Sequence, residues 1–368
     1  MFSVQTAYYD LIGMTSLINL KDNKKYSAVP VYPLVRDLCL IIYQINKEIL
    51  DNSIELDPNI KKIRHRVKLY QKKNNFKVYE SIINDHIHQF GKDIDNLGFY
   101  LDGEQLVGST IYTTYIFQDT QLFAKNPKET GRNAYIFMEK VGETVAVIVE
   151  KLIEKSNYAL SPLEIPAFVY NDDKAYTEKD ILNKNFFVND QNKNVLLTRL
   201  VISLQEASTC IWLYNGVPRA NNFQVDNYIL LRLLSIKADE VMDNLKNMQT
   251  FLTDTFMQVD KVLDFKVSCL INEFDKELCD ECKILRNMIH YNAQDTNFID
   301  YVEGKLSNES NYINNFTTKL VKHYMEPLSE LISDYLKINE KRSMNDLEKI
   351  ARRLLSIIKR DKFKELSK

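Results

Sequence analysis

The chain has 368 residues, a hydrophobic fraction of 45%, a charged fraction of 27% and a net charge of −2. That is the profile of an ordinary globular protein, and it excludes a strongly basic nucleic-acid binder whose global charge does the work. Nine glycines and eight prolines are few for this length. Open α/β folds and sandwiches need more of them at turns, so the composition points to long helices. Five cysteines form an odd set at irregular spacing, and no signal peptide opens the chain. Both features lead us to expect a cytoplasmic setting. No run of eighteen apolar residues occurs, so no membrane span is expected.

An apolar, Tyr-bearing segment opens the chain, and a loop is expected around Asn23–Lys25. Val29 to Pro33 reads as extended because of its prolines. A helix follows from about Leu34 to Leu50, with Val35, Leu38, Ile42, Ile45 and Ile49 on one face. "KKIRHRVKLYQKK" places seven Lys and Arg between Lys61 and Lys73. It reads first as a solvated helix face and second as a phosphate-contacting patch. "STIYTTYIF" (Ser109–Phe117) suits a short strand or a helix equally. Residues 134–155 read as a helix. Pro162, Pro166 and the polar runs after them make 161–194 the expected linker between a mostly helical N-terminal domain, 1–160, and a C-terminal bundle, 195–368. Helices are expected across "VLLTRLVISLQEASTCIWLYN", the long stretch from Phe223 to Val259, Lys261–Phe274, Lys276–Tyr291, Asn311–Leu336 and from Ser343 on. Ser343 and Asp346 have capping-box spacing. The expected fold is therefore mainly α, an antiparallel multi-helix bundle with possible short strands in its N-terminal half.

The helix "CDECKILRNMIHYN" carries the chemistry. Leu278, Cys282, Leu285 and Ile289 form an apolar stripe at helical spacing. Lys283, Arg286 and His290 run along its flank, with Arg286 and His290 one turn apart. Histidine titrates near neutrality and serves as base or acid; a guanidinium fork fits phosphate oxygens. This pair suits RNA cleavage by the RNA's own 2′-hydroxyl, which needs no metal. One Arg and one His are not a complete set, so a composite site where two chains of a dimer meet at this edge is expected.

"LRNMIHY" (Leu285–Tyr291), late in a helical bundle, resembles the signature of the HEPN-domain superfamily: an arginine, a polar neighbour, then a histidine. Three residues separate Arg286 from His290, one fewer than usual. That rotates the pair by about 100° on a helix, so a local helix distortion or membership of a variant subgroup is expected. The resemblance covers about residues 195–368 and implies a metal-independent endoribonuclease, commonly dimeric, in phage-defence or toxin systems. It implies Arg286, Asn287 and His290 as catalytic residues, no cofactor or metal, and RNA, a second copy and an antitoxin or other defence-system protein as partners. Lys283, Tyr291 and His323 are the accompanying candidates for RNA contact. The competing reading is a non-catalytic helical interaction protein whose Arg–His row is an interface feature.

Other constellations read as structural. Cys279 and Cys282 form a CxxC with no second ligand pair, so a buried thiol is expected. Asp85, His86 and His88 suit a polar helix terminus better than a metal site. Phosphate loops of the GxGxxG and GxxxxGK[ST] types are absent from the sequence, as is GxSxG.

Overall fold

The computed structural model of the chain describes residues 2–18, 28–71, 76–91, 96–156, 177–216, 225–291 and 296–366. It is mainly α, with one small sheet. In chain order the first elements are α1 (Phe2–Ile18), α2 (Ala28–Glu48), α3 (Pro58–Gln71), α4 (Phe76–His86), β1 (Asn96–Asp102), β2 (Gln105–Ser109), α5 (Thr110–Phe117) and α6 (Pro127–Lys155). Then come β3 (Thr177–Leu182), α7 (Gln191–Gly216), α8 (Val225–Phe251), α9 (Thr253–Val262), α10 (Lys266–Glu277), α11 (Cys279–Asn287), α12 (Phe298–Asn308), α13 (Tyr312–Thr318), α14 (Glu326–Leu336) and α15 (Asp346–Leu366).

α7 and α8 pack against each other at the centre. Every residue from Val195 to Ile211 is buried, so α7 is enclosed on all sides rather than amphipathic. α4, β2 and α14 pack on α7; α1, α3 and α11 pack on α8. The sheet has the order β2-β1-β3 and is antiparallel, with Leu97 opposite Ile181. Gly103, at φ 60°, turns the β1–β2 hairpin in a conformation that other residues rarely adopt.

Several expectations need correction. The expected linker 161–194 contributes β3 to the sheet, and one continuous hydrophobic core runs from Ala7 to Ile338. The described residues therefore do not separate into two cores at that point. Pro162 and Pro166 lie outside the described residues, as does the Asn23–Lys25 loop. Val29 to Pro33 is helical, not extended: Pro30 falls in the first turn, where N–H groups have no partner within the helix, whereas Pro33 lies inside the helix and forgoes one backbone bond. Of Ser109–Phe117, open by sequence to strand or helix, Ser109 ends β2 and Thr110–Phe117 is helical, with the Ser109 hydroxyl accepting from the Tyr112 N–H as the N-cap. The capping box of the last helix sits two residues later than the Ser343 spacing suggests. Asn345 Oδ1 accepts from the Glu348 N–H at 2.9 Å, and Glu348 Oε2 accepts from the Asn345 N–H at 3.1 Å. The helix over 311–336 is continuous but carries a π turn at Lys319–Met325. That turn immediately precedes Pro327, whose ring would clash with the carbonyl four residues back in a regular helix.

A charge network with no exposure to solvent ties the centre together. Arg36 and Asp37 of α2, Glu206 of α7, and Lys237 and Glu240 of α8 are all buried. Arg36 Nη1 lies 2.8 Å from Glu206 and Nη2 lies 2.5 Å from Glu240; Lys237 Nζ reaches Asp37 at 2.6 Å and Glu206 at 2.7 Å. A second buried knot joins α1 to α8: Arg232 pairs with Asp10 at 3.0 Å and donates to the Leu285 carbonyl at 2.7 Å. Removing one member of such a network strands its partners as uncompensated buried charges, a loss of about 3–5 kcal/mol. Arg36→Met should accordingly lower the urea midpoint by that equivalent with the m-value retained, as followed by circular dichroism.

Candidate active site at the end of helix α11

The regular helix stops at Asn287, where the sequence pattern continues to Tyr291. Beyond it the chain tightens: the Ile289 N–H donates to the Arg286 carbonyl and the His290 N–H to the Asn287 carbonyl, both i to i+3 bonds. The segment carrying Arg286 and His290 thus leaves regular α geometry at its C-terminal end. The apolar stripe is as expected, with Leu278, Cys282, Leu285 and Ile289 all buried. A break at Leu278 separates α10 from α11, so the stripe begins at a helix junction rather than inside one helix.

Arg286, Asn287 and His290 line one half-open cavity of about 210 Å³. Its other walls come from α2 (Leu40, Tyr43, Gln44, Lys47), from Arg64 of α3, and from Ile236 and Glu240 of α8. The site is thus built between the two halves of the chain.

His290 is about half exposed, and its Nδ1 lies 2.8 Å from Gln44 Nε2 and 3.1 Å from Glu48 Oε1. Gln44 and Glu48 are one turn apart on α2, so one helix face grips one ring nitrogen. A single nitrogen cannot accept from an amide and donate to a carboxylate at once. With Nδ1–H donating to Glu48, the unshared pair sits on Nε2, the nitrogen a base needs. Turning the Gln44 amide over then gives its otherwise unpartnered Oε1 a share of the same hydrogen.

Arg286 is one-fifth exposed and is held from α8, where Asp239 makes a short ion pair with Nη1 and Asp243 lies 3.5 Å away. Asn287 Oδ1 accepts from the Arg286 guanidinium at 3.3 Å. Burial pushes the Asp239 carboxyl up to about 6, outweighing the opposing pull of Arg286. Burial likewise raises Glu240 to about 8, against the pull of Arg36. Glu240 is therefore largely neutral at pH 7 and adds little negative charge to the cavity wall. Arg64 stacks on the Tyr43 ring at 3.6 Å, and Lys47 is about half exposed at the rim. Three cations thus border the cavity, with Glu48, Asp239 and Asp243 set against them.

The other candidates are placed elsewhere. Lys283 is half-buried beside Cys279, Asp239 and Asp243, next to Arg286 but not in the cavity lining. Tyr291 is buried and its hydroxyl donates to Asp10 at 2.8 Å, so it belongs to the core knot and is not placed to stack on a base. His323 is exposed within the π turn, near Glu277, and does not join the Arg286 row. The basic run divides: Arg66 is buried and donates to the Gln118 carbonyl, Arg64 reaches the cavity, and Lys61 and Lys62 are solvated. His86 is buried, its Nε2 lies 2.8 Å from the Thr110 hydroxyl, and burial lowers it to about 3. Cys279 and Cys282 are buried free thiols, and no metal-holding cluster occurs among the described residues. No helix among those residues is long and apolar enough to cross a membrane.

Gln44, Glu48, Asp239, Asp243 and Glu240 were not singled out in the sequence. For two of them a signal existed: Asp239 and Glu240 are acids inside the otherwise largely apolar "LLSIKADEVM". Comparisons with protein families, characterised proteins and solved structures find no match to this chain.

The Asp239 carboxylate competes with any bound anion for Arg286. As pH falls through about 6, Asp239 gains its proton and releases the guanidinium, so affinity rises toward acid. A DNA oligonucleotide, whose phosphodiesters keep their charge from pH 5 to 8, should bind Asp239→Asn about tenfold more tightly than wild type at pH 7.5, ~1.4 kcal/mol. The gap should close by pH 5 in fluorescence anisotropy titrations. A constant ratio across this range would show that Asp239 does not gate Arg286.

Proposed function

We propose that the chain is a metal-independent endoribonuclease of HEPN type acting at the α11 cavity. The single observation behind this reading is that Arg286 and His290 share one open cavity, with an acid–histidine pair already in place. Arg286 binds the scissile phosphate. His290 Nε2 takes the 2′-hydroxyl proton, the 2′-oxygen attacks phosphorus, and the bond to the 5′-oxygen breaks, with solvent protonating the leaving oxygen. Glu48 holds the imidazole tautomer and stabilises the imidazolium that forms. Lys47 and Arg64 offset the charge that builds on the phosphorane. Asn287, against the Arg286 fork, keeps the guanidinium oriented. A role in phage defence or toxicity, and a defence-system partner, rest on the motif resemblance alone.

A non-catalytic interaction protein is the second reading. It is favoured by the two carboxylates on Arg286, which neutralise that guanidinium in the unliganded chain. Purified protein incubated with RNA in EDTA separates the two. The nuclease predicts cleavage products with 2′,3′-cyclic phosphate ends. Arg286→Ala and His290→Ala should each lower the rate by about 10²–10⁴-fold at unchanged circular dichroism. Glu48→Gln should cost less, about ten- to a hundredfold, an estimate taken from the loss of comparable supporting hydrogen bonds. Intact RNA with the wild-type protein, or equal cleavage by both alanine variants, would leave the interaction protein standing.

A further inference from the structure

The last helix points the wrong way for a core element. In α15, Leu347, Ile350, Leu354, Leu355, Ile357 and Ile358 are all exposed, from 43% to 77%. At about 100° per residue they occupy one continuous face. Glu348, Lys349, Arg352 and Ser356 are its least exposed residues and lie on the opposite face. The helix therefore turns its polar side to the body and its apolar side outward. Contiguous exposed apolar surface of this kind marks an interaction site.

The helix is also fixed in direction. The Met344 N–H donates to the Asp180 carbonyl at 2.7 Å, and Lys349 pairs with the Asp180 carboxylate. Lys179 and Lys341 clamp the preceding turn through the Asn339 and Asn185 carbonyls, at 2.5 and 3.2 Å. Pinned to β3 in this way, the stripe faces away from its own chain. Its flanks carry exposed Arg353, Lys359 and Lys362, while the acids there, Asp346 and Glu348, are already held in ion pairs with Lys349 and Arg342.

A complementary surface lies between α10 and α14. There, Leu270, Leu331 and Pro327 floor a groove of about 410 Å³. Glu273, Glu330 and Asp334 rim it, all exposed and none ion-paired among the described residues. Phe265, next to the groove's Lys266, is a further exposed apolar side chain, at 46%. An acid-rimmed apolar groove fits a basic-flanked apolar helix in both hydrophobicity and charge.

We propose that α15 of one copy of this chain docks its Leu347–Ile358 stripe into the α10–α14 groove of a second copy. Reciprocal exchange closes a twofold dimer. This surface is separate from the α11 cavity, and the inference stands or falls independently of the nuclease reading.

Sedimentation velocity across a concentration series tests it. The wild-type chain should self-associate. Leu354→Asp (stripe) and the combined Glu273→Lys, Glu330→Lys and Asp334→Lys (groove) should each weaken association at least tenfold, with unchanged circular dichroism. Mixing the two variants should restore a heterodimer, because one intact helix still meets one intact groove. Cys269 lines the groove and is the exposed cysteine among the described residues. Leu354→Cys treated with a short bismaleimide should therefore give a two-chain product that Cys269→Ser abolishes. A wild-type chain that stays monomeric overturns the proposal, as does a dimer indifferent to the groove reversals. Rescue failing on mixing would assign the stripe to pairing with its own counterpart. A monomer that co-sediments with anionic phospholipid vesicles would assign it to a membrane surface. Either result would overturn the groove.

Discussion

Four charges and one largely neutral carboxyl, all shut away from water, set the geometry of this protein. Arg36, Asp37, Glu206, Lys237 and Glu240 can be buried only if every charge meets its partners, because desolvation of an unpaired ion costs several kcal/mol. That requirement locks α2, α7 and α8 in one register. The same register places Gln44 and Glu48, two and three turns further along α2, against His290. The imidazole is thus held by a helix whose own position is dictated by charges more than a turn away.

The Arg232 knot does similar work from the other side. It takes the Leu285 carbonyl of α11, Asp10 of α1 and, through Asp10, the Tyr291 hydroxyl. Both ends of the Arg286–His290 segment are anchored in this way, while Arg286 and His290 keep access to solvent. The arrangement is that of a site with rigid support and an open mouth, the condition under which a pair of side chains can act on one bound group.

Electrostatics in the cavity are balanced rather than simply positive. Asp239, raised to about 6, both neutralises Arg286 and stands ready to release it. Glu240, raised to about 8, keeps a carboxyl in the wall with little negative charge at pH 7. The cavity holds Lys47, Arg64 and Arg286 against Glu48, Asp239 and Asp243, so its charge is local and close to balanced until Asp239 takes up a proton.

Sequence alone determined the helical class, through scarce glycine and proline and through stripes such as Leu278–Cys282–Leu285–Ile289, since a 3.6-residue period is a local property. It also pointed to Arg286 and His290, which lie close enough in the chain for spacing to be informative. Tertiary structure decided the rest. Glu48 and Asp239 reach the site from helices 242 and 47 residues away from their partners, and no local pattern encodes such pairing. Tyr291 is a candidate RNA contact by sequence and a core hydroxyl in the fold, because Asp10, nearly three hundred residues earlier, claims it. The expected division at 161–194 failed for the same reason: β3 completes a sheet begun by β1. Which face of α15 meets solvent was equally beyond its periodicity, because amphipathicity specifies two faces and only the contacts to β3 decide which one turns outward.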